Sequence, residues 1–293
     1  MLKILTAFLL LMTAGAVGFM QVPPKPSISS IDRSHQRIER KEVAGKRIPL
    51  KTLNGATLFV SPKYRADRSA PLIVHFHGAP WLVERHIAKA LPRAALITVQ
   101  LGAGSSTYGK PFADAELLPK LLAEVRNELG VKNAWSSITL TGFSAGYGAV
   151  RAILRQSENY KLINRVLLLD GIHASYEPEG KGLTDGGKIS PADLDSFVEF
   201  AKDAVAGKKT FVLTHSEIVP GAYASTTECV DYLLGQAGLK RKSIRKKGPM
   251  GMAQLSSAGK RGFYVFGYAG DTAPDHVDHL HAMPFWFLSL RAK

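Results

Sequence analysis

Cysteine occurs once in 293 residues, at Cys229, so no intrachain disulfide can form and no cluster of thiolates can hold a metal. Stability has to come from packing. Acidic residues are also scarce, 24 against 38 lysines and arginines, which leaves a formal net charge of +14. No apolar run reaches the ~20 residues that a membrane-spanning helix usually needs. Internal repeats are absent, and the only biased stretch is the Pro/Ser-rich VPPKPSISS at 22–30.

What is present divides the chain into three parts. Residues 1–20 carry Lys3, an apolar stretch from Ile4 to Phe19 and the small residues Ala14, Gly15 and Ala16, the pattern of an export signal or an N-terminal anchor. That predicts an exported protein, periplasmic or secreted, with no nearby cysteine to accept a lipid. Residues 21–42 read as a linker, and 43–293 as one catalytic-size domain.

Within that domain, β-type runs alternate with helical patterns: PLIVHFHG (71–78), AALITVQLG (94–102), SSITLTGFS (136–144), RVLLLDG (165–171), KTFVLTHSE (209–217) and GFYVFGYAG (262–270). Such alternation predicts a mainly parallel, doubly wound sheet with helices on both faces. Leu117, Leu118, Leu121, Leu122, Val125 and Leu129 recur at helical spacing, as do Leu194, Phe197, Val198, Ala201 and Val205, and both stripes read as core. The segment HASYEPEGKGLTDGGKIS (173–190) is too short for a separate cap and reads as a surface loop or small lid. KRKSIRKK (240–247) reads as a solvated loop, or as a patch for an anionic surface. It lacks the interleaved aromatics of single-stranded nucleic-acid binding, so no nucleic acid is expected.

The chemistry concentrates in Gly142-Phe143-Ser144-Ala145-Gly146, a G-x-S-x-G pattern between a strand-like run and a slim helix containing Gly148, Ala149 and Ala152. A sharp strand-to-helix turn needs small neighbours and leaves its serine exposed as a nucleophile, with backbone N–H groups of the helix start aimed at an anion. A nucleophile needs a base, an orienting acid and an oxyanion hole. His75-Phe76-His77-Gly78 ends an earlier strand, so backbone N–H groups at Gly78 and Ala79 are candidates to join that of Ala145 in holding an oxyanion.

With these two motifs and its strand order, the chain resembles the α/β-hydrolase fold family over residues 55–291. The resemblance implies the chain order serine, acid, histidine. His276, His279 and His281 follow the last strand; His276 is favoured over His279 as the base, and His281 reads as a supporting residue. For the acid, Asp170 at the end of an apolar strand is favoured over Glu217, with Asp185 and Asp271 next. Trp81 and Tyr108 are candidate substrate contacts, alongside Ser105 and Phe112. The expectation is a serine hydrolase cleaving carboxylic esters through an acyl-enzyme, with no cofactor and no metal. Two alternatives stand beside it: a metal-dependent hydrolase built on His75, His77 and the His/Asp-rich segment 275–281, and a non-catalytic binding module on the same fold.

Overall fold

The parallel runs read from the sequence become the centre of one wide sheet. The structure, a computed structural model, describes residues 34–287 and 289–291. The signal or anchor at 1–20, and the linker up to residue 33, lie outside the described residues. The strands are β1 (Lys46–Pro49), β2 (Ala56–Val60), β3 (Pro71–Phe76), β4 (Ala95–Val99), β5 (Ser137–Phe143), β6 (Arg165–Leu169), β7 (Tyr176–Glu177), β8 (Lys188–Ile189), β9 (Thr210–His215), β10 (Lys242–Lys247), β11 (Ala253–Lys260) and β12 (Phe263–Tyr268). The helices are α1 (Pro80–Ala90), α2 (Ser105–Gly109), α3 (Leu117–Leu129), α4 (Tyr147–Leu154), α5 (Ser157–Leu162), α6 (Asp195–Val205), α7 (Thr226–Gln236), α8 (Ala273–His281) and α9 (Met283–Trp286).

Ten strands lie in the order β1-β2-β4-β3-β5-β6-β9-β12-β11-β10. Those from β4 to β12 pair in parallel, while β1, β2, β10 and β11 close the two edges antiparallel. The six runs expected from the sequence are the six parallel strands. This order, with a sharp turn after β5, is the α/β-hydrolase fold.

Alternation along the strands feeds two cores. On β3, Leu72, Val74 and Phe76 enter the core beneath α3, α4, α6 and α7, while Ile73 enters the one shared with α1, α8 and α9. Such two-sided burial is why the parallel strands read as continuous apolar runs. Between β6 and α6 the described chain makes the hairpin β7–β8 and two short 3-10 turns, Leu183–Asp185 and Pro191–Asp193, and no large cap.

Two expectations change here. KRKSIRKK is not a loop: 242–247 form the edge strand β10, paired with β11 through a register shift between Ser243 and Lys246. Its exposed cations blunt an edge that would otherwise invite another strand. The last part of the expected linker also docks on the domain. Arg37 donates to Asp278 and to the Pro274 carbonyl, His35 Nδ1 lies 2.9 Å from Asp278 Oδ2, and the Ile38 N–H reaches His281 Nδ1 at 3.2 Å.

Candidate active site

The glycines of the G-x-S-x-G turn are set by contact distances. A Cβ on Gly146 would stand 2.1 Å from the Phe76 carbonyl oxygen, and one on Gly142 would press on Gly146 at 3.1 Å. Opposite them Gly171 lies so close that its Cβ would meet the Ser144 carbonyl at 2.2 Å. In this confined turn Ser144 takes φ +48°, left-handed backbone that a serine adopts only when its surroundings impose it. The half-buried Ser144 lines a cleft of about 540 Å³, together with Ser105, Tyr147, Arg151, His173 and Tyr223.

Asp170, the residue that follows β6, is also left-handed at φ +43° and is almost fully buried. Its Oδ2 accepts from His276 Nδ1 at 2.7 Å and from Ser216 Oγ at 2.7 Å, and its Oδ1 accepts from the Ser216 N–H at 2.8 Å. Burial by itself would raise this carboxyl's pKa. The neighbouring His279, the hydrogen bond and charge of His276 and the Ser216 N–H outweigh burial and hold it well below the usual carboxylate range. The acid is therefore ionised.

His276 is the second residue after Pro274 on α8, a helix started by the Thr272–Asp275 capping box. Its side chain is 25% exposed, and its ring rests on Phe143 with centroids 4.6 Å apart. The residue preceding Ser144 thus supports the imidazole. Donation from Nδ1 to Asp170 leaves the Nε2 lone pair as the free acceptor.

The remaining candidates lie elsewhere. His279 is buried, with Nδ1 2.8 Å from Thr214 Oγ1 and its ring stacked on Trp286. Glu217 is exposed and accepts the Gly270 N–H at 3.0 Å, one strand away from the Asp170–His276 pair. His281 is the acceptor for Ile38 described above. Asp185 lies exposed in a short turn of the 173–190 segment.

For the oxyanion hole the two halves differ. Ala145 stands in the first turn of a helix, where an N–H has no intrahelical acceptor, and Ala79 immediately precedes α1. The Gly78 N–H is committed to Gln100 Oε1 at 3.0 Å, which corrects the expectation that it faces a substrate. Tyr108 is corrected likewise. It is fully buried, its hydroxyl lying 2.8 Å from His77 Nδ1 and donating to the Gly102 carbonyl, so it pins two loops and is withheld from substrate. Trp81 packs half-buried on the core beneath α8 and does not line the cleft. Phe112 is core, edge-on to Phe76.

Among the described residues, no metal ligand set converges on His75 and His77. His75 is buried between Thr141 Oγ1 at 2.8 Å and the His77 carbonyl at 2.6 Å, and burial lowers its pKa to about 3. Among the described residues, the one group of metal-type side chains is His35, Asp275 and Asp278. There the Arg37 guanidinium already sits on Asp278, and Asp275 caps α8.

Sequence reasoning missed Ser216, Gln100, His173 and Arg151. Ser216 had one available signal, its place at the end of a parallel strand beside that of Asp170.

No protein-family model matches this sequence, and no curated protein is a significant match. Among solved structures it is similar to Pyrococcus horikoshii acylaminoacyl peptidase (16% identity, TM-score 0.48, 86% of this chain and 43% of that one). It is also similar to a Pyrobaculum calidifontis esterase (12%, TM-score 0.47, 85% of each chain) and to the acetyl xylan esterase of Aspergillus awamori (12%, TM-score 0.45, 84% and 100%). The chain spans less than half the length of the peptidase. At these values the likenesses carry no argument of their own, and the fold assignment rests on the strand order.

Proposed function

We propose that the protein is a serine hydrolase acting on carboxylic esters, with Ser144 as nucleophile, His276 as base and Asp170 as the orienting acid. One observation carries the reading: a serine forced to φ +48° at a strand–helix turn, beside a buried carboxylate that holds an imidazole through Nδ1. In acylation Ser144 Oγ bonds to the ester carbonyl carbon while His276 Nε2 takes the hydroxyl proton. The N–H groups of Ala145 and Ala79 hold the oxyanion. Collapse breaks the carbonyl–alkoxy bond, and His276 returns the proton to the departing alcohol. Water then attacks the acyl-enzyme by the same route and frees the acid and Ser144. No step calls for a cofactor.

The test is labelling by a fluorophosphonate, read by peptide mass spectrometry. Modification of Ser144, lost together with p-nitrophenyl acetate hydrolysis in Ser144→Ala, supports the reading. Full activity in the alanine variant ends it. Export, suggested by residues 1–20, and contact of the exposed β10 cations with an anionic surface belong to the same proposal; fractionation and salt-dependent vesicle sedimentation test them.

A further inference from the structure

The cleft before Ser144 is lined by hydroxyls, aromatic rings and an ion pair, and one cation in it is only partly engaged. Arg151 lies on α4, seven residues beyond Ser144. Its guanidinium carbon lies over the Tyr147 ring, 5.3 Å from the centroid. Nη1 donates to Asp193 Oδ1 at 3.0 Å and to the His173 carbonyl at 3.5 Å. The edge formed by Nε and Nη2 has no acceptor among the described residues, and the side chain is 20% exposed. Two parallel N–H groups on a fixed plane match a carboxylate in a bidentate grip, which a neutral ester chain does not use.

The surroundings strengthen the case. Asp193 is the one acid lining this cleft among the described residues, and it is occupied by Arg151 and by the Ser175 N–H at 2.8 Å. Past Arg151 a groove of about 430 Å³, which shares Ser105 with the cleft, runs on to Lys110 and Arg155 with no acid in its lining.

We infer that the ester substrate carries a carboxylate, and that Arg151 binds it through its open Nε/Nη2 edge. This deepens the serine-hydrolase reading and rests on it. Arg151 stands about 10 Å along the axis from Ser144, and helical side chains lean toward the N-terminus. The carboxylate therefore belongs roughly three to five carbons from the scissile carbonyl.

The experiment compares p-nitrophenyl hemiglutarate with p-nitrophenyl pentanoate, and 4-acetoxybutanoate with butyl acetate followed by pH-stat, so that the acyl and alcohol sides are each tested. In one of the two pairs the wild type favours the anionic ester at least tenfold in kcat/KM at low salt. Arg151→Gln lowers that ratio about tenfold through KM, Asp193→Asn raises it, and 0.5 M NaCl shrinks it. Free glutarate raises the Tm of the wild type and does not raise that of Arg151→Gln, a readout independent of turnover. Equal rates within both pairs, or a preference and a glutarate shift that survive in Arg151→Gln, overturn the inference. Should Arg151→Gln fail to fold, an Asp193→Asn ratio equal to that of the wild type overturns it as well. Absence of both Ser144 labelling and turnover, with the glutarate shift intact, marks failure of the serine-hydrolase reading instead.

Discussion

Two places in this molecule gather histidines, and they treat them in opposite ways. At the end of β3, His75 and His77 spend ring nitrogens on Thr141, on a backbone carbonyl and on Tyr108, and burial lowers the pKa of both. On α8, His279 and His281 are likewise bonded to Thr214 and to the Ile38 N–H, whereas His276 donates a hydrogen bond to the buried Asp170 carboxylate and keeps part of its ring in solvent. The lesson is that a histidine's role follows from what its second nitrogen faces. A neutral partner locks the ring as scaffold, while an ionised one supports an imidazolium forming in a reaction.

The sharpest way to break this contrast is to remove the imidazoles one at a time. His276→Ala is expected to cost on the order of 10⁴-fold or more in kcat, as much as Ser144→Ala, because members of a triad act as one unit. His279→Gln should act chiefly on Tm, since its ring packs on Trp286 in the core. Steady-state kinetics with parallel melting curves decide the matter, and a silent His279 variant beside an active His276 variant would reverse the assignment.

Next in size is the carboxylate. Asp170→Asn should lose on the order of 10⁴ in kcat, by analogy with the triad aspartate of serine proteases, and Glu217→Gln far less. The opposite ranking would transfer the acid to the end of β9.

A smaller effect is expected at Ser216, which reaches both oxygens of Asp170. Ser216→Ala removes one charge-assisted hydrogen bond from a buried carboxylate and should cost about 1.5–3 kcal/mol of stability. It should also raise the pKa of the Asp170 carboxyl, which then holds its charge less well, as read by NMR titration of that carboxyl; an unchanged titration would confine Ser216 to a structural role.

The mildest prediction tests the scaffold histidines by pH. The folded chain resists protonating His75 and His215 until about pH 3 and 4, whereas the unfolded chain protonates them near 6.5. Stability is therefore fully present above 6.5 and falls as pH drops toward 4, by up to about 1.4 kcal/mol per pH unit for each ring. Melting curves from pH 7.5 to 4.5 should show that slope, and His75→Asn should flatten it. An equal slope in the variant would mean that His75 is already charged in the fold.

Much of this was legible in the chain because of local rules. Strands buried on both faces had to be unbroken apolar runs, and the six parallel strands were. Gly142, Ser144 and Gly146 announced a turn with no room for side chains. The edge strands were harder to see: β10 is carried by cations and by pairing with β11, and neither its alternation nor its composition looks like a strand. Tyr108 and Trp81 sit in the right stretches to meet a substrate, yet burial of large aromatic surface drew both inward.

Sequence by itself determined the layered α/β architecture and the serine turn, since periodicity and glycine placement act through neighbours only a few residues apart. Tertiary structure alone decided which carboxylate and which histidine meet. Asp170 and His276 are 106 positions apart, and although the chain favoured both, Glu217 and His279 stood as their alternatives. Only the packing of α8 over Phe143, the reach of Ser216 to Asp170 and the engagement of Glu217 by Gly270 tell them apart. A hydrogen bond between distant residues depends on where the sheet brings their strand ends, and no local pattern encodes that distance.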